Sequence, residues 1–201
     1  MFNFIQKGYF VENLKQMNKV IRNALIVAIV LAIAAYVASR YIKKDTQRLS
    51  PQATITFNDS GFVMKMVYCR PYKKGRLIFG PAEKEALQPF GQYWRLGANE
   101  ATTLEINKGI SIEGHQLPAG RYSVYAVPGE EEWEFGINKV ADRWGLNEPD
   151  YSQDLFTFKL PVIYTEENQE QFTIIIGEVD DEYQIQFWWD TSRITVPFKI
   201  D

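Results

Sequence analysis

A stretch of seventeen residues without a single charge, Asn23–Ser39, lies near the start of this chain. Leu, Ile, Val and Ala make up most of it, so a helix here is apolar on every side and needs lipid or a surrounding core to cover it. The run rises about 26 Å at 1.5 Å per residue, and flanking apolar residues extend it toward the roughly 30 Å of a hydrocarbon core. We predict a membrane-spanning helix over residues 20–42.

Signal-peptide cleavage is an alternative to this uncleaved anchor. Met17 opens the basic segment MNKVIRN, and Ala32-Ile33-Ala34 has the small residues of a cleavage site. Cleavage there would give a secreted protein. The apolar run continues past that site to Ala38, which favours the anchor. Whether translation starts at Met1 or at Met17 stays open.

Residues 1–19 are expected to form a short cytoplasmic or interfacial segment. Phe10, Leu14, Met17 and Ile21 recur at helical spacing, as in helices that rest on a membrane surface. Four Lys and Arg residues lie on each side of the apolar run, so the positive-inside rule leaves the orientation open. After the span we expect a polar tether over residues 43–50, ending in Ser-Pro, which disfavours helix.

The charge is divided unevenly along the chain. Residues 1–48 hold eight Lys and Arg against Glu12 and Asp45, a net charge of +6. The other residues carry −9, which gives the whole chain its net charge of −3. Residues 65–95 are nevertheless basic, at +5, whereas residues 96–201 hold seven basic and twenty acidic side chains. Because binding to nucleic acid needs a broad basic face, we expect no nucleic-acid partner.

Cysteine and histidine are too scarce for several classes of site. A single cysteine, Cys69, excludes an intramolecular disulfide, and with a single histidine, His115, it excludes zinc sites built on several such ligands. No motif for a cofactor is present either. We expect neither a metal nor a cofactor, although the scarcity of Cys and His leaves sites built only on carboxylates open.

Residues 51–201 are predicted to fold as one all-β domain. Short runs rich in β-branched and aromatic residues alternate with turn residues, among them the hairpin signal Asn58–Gly61. About ten such runs predict an antiparallel sandwich, jelly-roll-like, or a barrel. Pro197 lacks a backbone donor, so the last strand is expected at a sheet edge or bulged there. The predicted strands are 54–57, 62–68, 102–106, 110–112, 122–127, 133–137, 155–160, 172–179, 183–189 and 194–200.

Three segments carry a resemblance to a known family. They are YCRPYKKGRLIFG (residues 68–80), PFGQYWRLGANEATT (residues 89–103) and LPAGRYSVYAVPG (residues 117–129). In this order they resemble the bacterial family called domain of unknown function 2911, over roughly residues 50–201. The resemblance implies an exported or membrane-anchored β-rich domain, hence an extracytoplasmic or periplasmic location, and it implies no activity.

The first of these segments contains the best candidate for a ligand site. Arg70, Lys74 and Arg76 surround Gly75 in a loop entered through Pro71. Guanidinium groups beside free backbone donors bind carboxylate, phosphate or sulfate. Alternatively, Arg70 and Arg76 pair with acids of the same domain and hold the loop against the sandwich.

The second segment packs an aromatic ring, donors and acceptors into ten residues. Trp94, Arg95, Asn99, Glu100 and Thr102 suit a polar ligand such as a sugar, by stacking on the indole and by hydrogen bonding. The alternative is a structural cluster, in which Arg95 pairs with Glu100 while Trp94 fills the core. Buried polar groups need partners in either case.

These observations predict a membrane-anchored, extracytoplasmic module with a binding or structural role and no catalysis. Its expected partners are membrane lipid, through the helix, and an anionic or carbohydrate ligand. The alternative is a hydrolase or lyase that acts on a cell-envelope polysaccharide or a similar polar polymer, with Glu100 as its acid or base. Catalysis by Cys69 with His115 is disfavoured because a cysteine in an apolar strand usually packs as a small hydrophobe.

Overall fold

A computed structural model of the chain describes residues 19–201. The stripe predicted at Phe10, Leu14 and Met17 lies outside the described residues. The chain divides into two compact units, Met1–Asp45 and Thr46–Asp201. The helix and the β domain are described separately below.

One helix, α1 (Lys19–Leu49), contains the uncharged run. Its segment Ile21–Ile42 is long and apolar enough to cross a membrane, a property that signal sequences share. The helix continues through Leu49, so the segment expected to be a polar tether is helical. Lys, Arg and Gln are good helix formers, and the helix ends only where Pro51 disfavours helical geometry at Ser50.

The second unit contains twelve strands, two more than the sequence predicted, and two short 3₁₀ helices, Ala82–Lys84 and Tyr151–Gln153. The sequence indicates a helical turn at residues 83–87, and the first 3₁₀ helix overlaps its first two residues. The strands are β1 (Gln52–Asp59), β2 (Phe62–Cys69), β3 (Phe79–Gly80), β4 (Gln88–Pro89), β5 (Thr102–Ile106), β6 (Ile110–Ile112), β7 (His115–Leu117), β8 (Gly120–Val127), β9 (Glu132–Asn138), β10 (Asp154–Pro161), β11 (Ile163–Val179) and β12 (Glu182–Ile200).

These strands form two antiparallel sheets and a small parallel pair. Six strands have the order β1-β2-β5-β8-β9-β10, four have the order β11-β12-β6-β7, and β3 pairs with β4. Neither large sheet closes on itself, so the predicted all-β sandwich is confirmed and the barrel is not formed. The sheets share one core, in which the rings of Phe135 (β9) and Phe187 (β12) lie 5.2 Å apart.

Three hairpins are closed by two-residue turns with positive φ at both positions, the geometry of type I′ turns. They are Ser60-Gly61, Glu113-Gly114 and Asp180-Asp181. The signal at Asn58–Gly61 therefore marks a real turn, although Asn58 and Asp59 belong to strand β1 rather than to the loop.

An aromatic cluster fills the core between the sheets. The indoles of Trp94 and Trp189 are stacked with centroids 5.8 Å apart, and Trp133 lies edge-on at 5.6 Å from Trp94. All three tryptophans are almost completely buried. Offset and edge-to-face pairs of this kind stabilise a core beyond the area that they bury.

Strand β12 joins two of the predicted strands into one. Its buried positions change parity at Asp190, a non-glycine residue with φ of +56°: Ile185, Phe187 and Trp189 precede it, whereas Ile194 and Val196 follow it. One extra residue in a strand turns the next side chains to the other face. Both apolar sets consequently face the same core.

Pro197 does not lie on an edge strand, contrary to one of the two expectations for it. Strand β12 is an inner strand, between β11 and β6. Its register with β11 ends at Arg193 and its register with β6 begins at Phe198, so Pro197 lies between the two ladders. The missing N–H of proline is tolerated there because no ladder needs it.

Candidate functional site

The two candidate segments belong to one long connection. Residues 70–101 leave the end of β2 and return to the start of β5, and these strands are neighbours, with Val67 opposite Thr103. Antiparallel neighbours place the end of one strand beside the start of the next. The topology therefore brings the first segment close to the second.

A cavity of about 290 Å³ lies where the two segments meet. Of the predicted site residues it contains Lys74, Arg76, Arg95 and Asn99. Among its described lining residues there is no Asp and no Glu, so its charge is positive. The lining consists of Thr46, Leu49, Ser50, Pro71, Tyr72, Lys74, Arg76, Leu87, Gln88, Arg95, Gly97, Ala98, Asn99 and Trp189.

Arg70 and Lys73 bind the first segment to the four-stranded sheet through hydrogen bonds and a salt bridge. Arg70 donates from Nε to the carbonyl of Phe172 (3.1 Å) and from Nη2 to Oγ1 of Thr173 (2.9 Å). Lys73 forms a salt bridge with Asp190, and both side chains are largely buried. Arg70 therefore holds the loop against the sheet, as the structural alternative expects, but through a carbonyl and a hydroxyl rather than through an acid.

Lys74 and Arg76 are exposed at the mouth of the cavity. The backbone N–H of Lys74 donates to Oε1 of Glu170 (2.9 Å), which holds this residue at its positive φ of +50°. Arg76 donates from Nε to the carbonyl of Lys73 (3.0 Å) and from Nη2 to the carbonyl of Tyr72. These bonds orient the guanidinium without neutralising it, because carbonyl acceptors carry no net charge.

Trp94 and Thr102 hold the second segment in place from inside the core. The indole Nε1 of Trp94 donates to the carbonyl of Gly97 (3.1 Å), and Oγ1 of Thr102 donates to the carbonyl of Leu96 (2.6 Å). Both side chains are buried, so neither presents a surface to a ligand. Trp94 lies in the core, as the structural-cluster alternative expects. Its buried indole offers no exposed ring on which a sugar could stack.

Arg95 and Asn99 carry nitrogen atoms without partners. Nε of Arg95 and Nδ2 of Asn99 are buried and make no hydrogen bond within the described part of the chain. Burial lowers the pKa of the Arg95 guanidinium, and the nearby cation of Arg143 lowers it further. Buried donors without acceptors are costly, and in native proteins they usually have a ligand, ion or water as partner.

Glu100 does not pair with Arg95. Among the salt bridges of residues 19–201 none joins these two residues; instead, Glu100 accepts a hydrogen bond from the thiol of Cys69, with Sγ 3.9 Å from Oε2. Burial raises the pKa of Cys69; the Asn99 side chain beside the thiol lowers it in part, and the adjacent carboxylate of Glu100 raises it. The ion pair between Arg95 and Glu100 that the structural-cluster alternative expects is therefore not formed.

Other candidate chemistry is remote from this cavity. His115 lies in β7 and stacks on the ring of Phe156, with centroids 4.7 Å apart. Within the described residues there is no group of three or more His, Cys, Asp or Glu side chains arranged to hold a metal ion.

A larger cavity of about 840 Å³ lies where the three hairpin turns converge, and the sequence did not predict it. Asp59, Glu113, Asp181 and Tyr183 are among its lining residues. Of the three turns, the sequence predicted the one at Asn58–Gly61. Their convergence depends on strand order, which local patterns do not encode.

The comparison with known families agrees with the three sequence segments. The profile of a family of proteins of unknown function, DUF2911, matches residues 50–198, well over half of the chain. The chain belongs to the DUF2911 family. The match begins at Ser50, so helix α1 lies outside the DUF2911 domain. No curated protein and no solved structure was found to match the chain.

Two of the three segments that resemble the family also form the cavity. Segment 68–80 supplies Lys74 and Arg76, and segment 89–103 supplies Arg95 and Asn99. The third segment, 117–129, contains β8 and lies in the six-stranded sheet. Eight of the fourteen described lining residues of the cationic cavity thus come from these two segments.

Proposed function

We propose that this protein is a membrane-anchored, extracytoplasmic β-sandwich that binds an anionic ligand without catalysis, in the cavity lined by Lys74, Arg76, Arg95 and Asn99. The observation that carries the proposal is the convergence of three cationic side chains with two buried, unpartnered donors, Nε of Arg95 and Nδ2 of Asn99. The ligand class is carboxylate, phosphate or sulfate, which accept bidentate hydrogen bonds from guanidinium groups.

An anion satisfies each of these groups, whereas a neutral ligand satisfies only some of them. Leaving one buried donor unpaired costs about 1–3 kcal/mol, a penalty that ligand binding relieves. The same anion would counter the repulsion between neighbouring guanidinium groups. A sugar could accept hydrogen bonds here, but it would leave three positive charges uncompensated.

Features of the cavity favour binding over catalysis. Acid–base catalysis on a polysaccharide needs placed carboxylates, and no lining residue that the structure describes is acidic. Glu100, the acid of the alternative hydrolase or lyase, bonds with Cys69 instead of lining the cavity. The raised pKa of Cys69 keeps its sulfur as a thiol, and only the thiolate is an effective nucleophile.

The membrane and extracytoplasmic parts of the proposal rest on α1 and on the family resemblance. The Ile21–Ile42 segment has the length and composition of a span. The resemblance to exported proteins favours placing the DUF2911 domain outside the cytoplasm. As an uncleaved helix, α1 would keep this domain close to the lipid surface.

Thermal denaturation of the full chain in detergent tests anion binding. Inorganic phosphate or sulfate is expected to raise the melting temperature, because a ligand that prefers the native state stabilises it by RT ln(1 + [L]/Kd). Arg95→Met should abolish this increase. Arg121→Met is the matched control, since Arg121 is exposed and pairs with Asp142 outside the cavity.

A melting temperature of the unmodified protein that does not respond to any of phosphate, sulfate or citrate would refute the proposal. An equal response in the Arg95→Met variant would show that anions bind elsewhere. Neutral sugars serve as the comparison ligands. A response to sugars alone would favour the polysaccharide alternative.

A further inference from the structure

Exposed leucines lie beside the cationic cavity. Leu49 and Leu87 line it, with 45% and 37% of their surface exposed. Leu77, 43% exposed, is next to Leu87, whose backbone N–H donates to the carbonyl of Leu77 (3.0 Å). Isolated exposed leucines are ordinary, but a group at the edge of a ligand cavity is typical of an interaction surface.

Exposed cations lie in the same connection, residues 70–101. Lys74 and Arg76 are exposed at the cavity mouth, and Lys84 is exposed in the 3₁₀ helix that precedes Leu87. Acids are present too: Glu83 and Glu85 flank Lys84, and Glu170 accepts from the backbone of Lys74. The sequence balance over residues 65–95 is +5, in a domain that is otherwise acidic, and Arg70, Lys73 and Lys65 of this set are held by contacts elsewhere. Cations interspersed with exposed apolar side chains suit the interface of an anionic membrane.

Chain length limits how far the edge of the cavity can lie from the apolar segment of α1. The apolar segment of α1 ends at Ile42, and Thr46, four residues later, already lines the cavity. Four residues span at most about 14 Å even when fully extended. Whatever the direction of the chain beyond Ile42, the edge of the cavity lies within about 14 Å of the end of the hydrocarbon span, a distance comparable to the headgroup layer.

We propose that the ligand of the cavity is the phosphate of an anionic phospholipid headgroup in the membrane that holds α1. This inference rests on the anion-binding function proposed above and names its ligand. Arg95 and Asn99 contact the phosphate, Lys74 and Arg76 add charge at the mouth, and Leu49, Leu77 and Leu87 contact the acyl-chain boundary. A free phosphate ion would use the same donors but would leave the three leucines exposed to water.

Hydrogen exchange of the full chain in nanodiscs tests this inference. Discs of phosphatidylcholine alone are compared with discs that also contain phosphatidylglycerol, and inorganic phosphate is added to the former in a third arm. Peptides that cover residues 72–78 and 84–88 should exchange more slowly with phosphatidylglycerol. The turn at residues 113–114 is the internal control, because it lines the cavity at the far end of the β1–β2 hairpin.

Variants identify the groups responsible. Arg95→Met should abolish the protection, and the exposed pair Lys74→Gln with Arg76→Gln should weaken it by about fivefold per charge, the factor for one cation at an anionic surface. The exposed pair keeps the test valid if Arg95→Met does not fold. Leu77→Ser with Leu87→Ser should also weaken protection, whereas Val179→Ser, at an exposed site 47% accessible on β11, should not.

The possible results distinguish a lipid headgroup site from free-anion binding and from general adsorption. Protection by phosphatidylglycerol that depends on Arg95 supports the lipid site, with or without an effect of free phosphate. Protection by free phosphate alone overturns the lipid inference and leaves anion binding intact. Protection in neither arm overturns both proposals. Protection by phosphatidylglycerol that persists in all cation variants shows general adsorption and overturns the headgroup site.

Discussion

Gly97 holds the second segment against the end of strand β2. Its φ is +148°, and a Cβ placed there would lie 2.6 Å from the carbonyl oxygen of Cys69. That oxygen belongs to the backbone of a strand, so it cannot move aside cheaply. Leu96 and Asn99 also have positive φ, which makes this short stretch a concentrated site of backbone strain. This stretch places Arg95 and Asn99 in the lining of the cavity, with Nε of Arg95 and Nδ2 of Asn99 buried.

Gly97→Ala is expected to lower the free energy of unfolding by about 1–3 kcal/mol, because strain and collision add. The measurement is the urea midpoint, with Gly177→Ala as control. At Gly177 a methyl group would meet no heavy atom within 4 Å, and φ is not positive, so the change should stay within about 0.5 kcal/mol. Equal midpoints for both variants would contradict the strained geometry.

Tyr183 and Asp59 share a hydrogen bond in the larger cavity, in which the phenol donates to the carboxylate. This bond is the main cause that raises the pKa of Tyr183 to about 12 and lowers the pKa of Asp59 below its ordinary value of 3.8. The stability contributed by Tyr183 is therefore lost as the pH rises from about 10 to about 12. The stability contributed by Asp59 is present above about pH 4 and is lost as the pH falls through its lowered pKa.

Tyrosine NMR titration checks this pair. The Tyr183 resonance, assigned with Tyr183→Phe, should titrate near pH 12, and Asp59→Asn should bring its midpoint toward the ordinary value of 10 because the charged acceptor is gone. A midpoint near 10 in the unmodified protein would show that the hydrogen bond does not form.

At the scale of elements, the irregularity of β12 at Asp190 matters most. It aligns two apolar sets with one core, and the Asp190 carboxylate pairs with Lys73 of the cavity loop.

Asp190→Ala is expected to lower the free energy of unfolding by about 3 kcal/mol, because it leaves a largely buried cation unpaired and puts alanine at positive φ. Asp190→Gly removes the charge but suits the φ, so it should recover about 1 kcal/mol of that loss. Chemical denaturation measures both, and identical losses would exclude a backbone contribution.

The sequence predicted the elements with strong local signals and missed those fixed by distant contacts. Segments 183–189 and 194–200 were predicted as separate strands, but the parity change that merges them at Asp190 depends on β11. The two-residue strands β3 and β4 have no periodicity to detect. For the site, residue types pointed to Lys74, Arg76, Arg95 and Asn99. The partners of Arg70 and Glu100 could not be predicted because they lie 31 or more positions away.

At the scale of the whole β domain, its two cavities lie at opposite ends of the β1–β2 hairpin. Strand β1 begins beside Ser50, which lines the cationic cavity, and ends at Asp59, which lines the larger one. Eight residues of strand span about 26 Å. The larger cavity includes four carboxylates and two lysines, the reverse of the cationic one. The domain thus separates positive charge at the end nearest the anchor in sequence from negative charge at the other.

Since the core and both cavities are supplied by the second compact unit, residues 46–201 should fold without the apolar helix. We expect a soluble fragment with a β-type circular dichroism spectrum and a single cooperative transition. The full chain should remain in the membrane pellet after carbonate extraction, because an uncleaved span is held by its apolar length. A fragment that begins at residue 51 is the matched comparison: it retains the strands but lacks Thr46, Leu49 and Ser50, so it should fold and bind anions more weakly. Aggregation of both fragments would refute an independent domain, and recovery of a soluble mature protein beginning after Ala34 would refute the anchor.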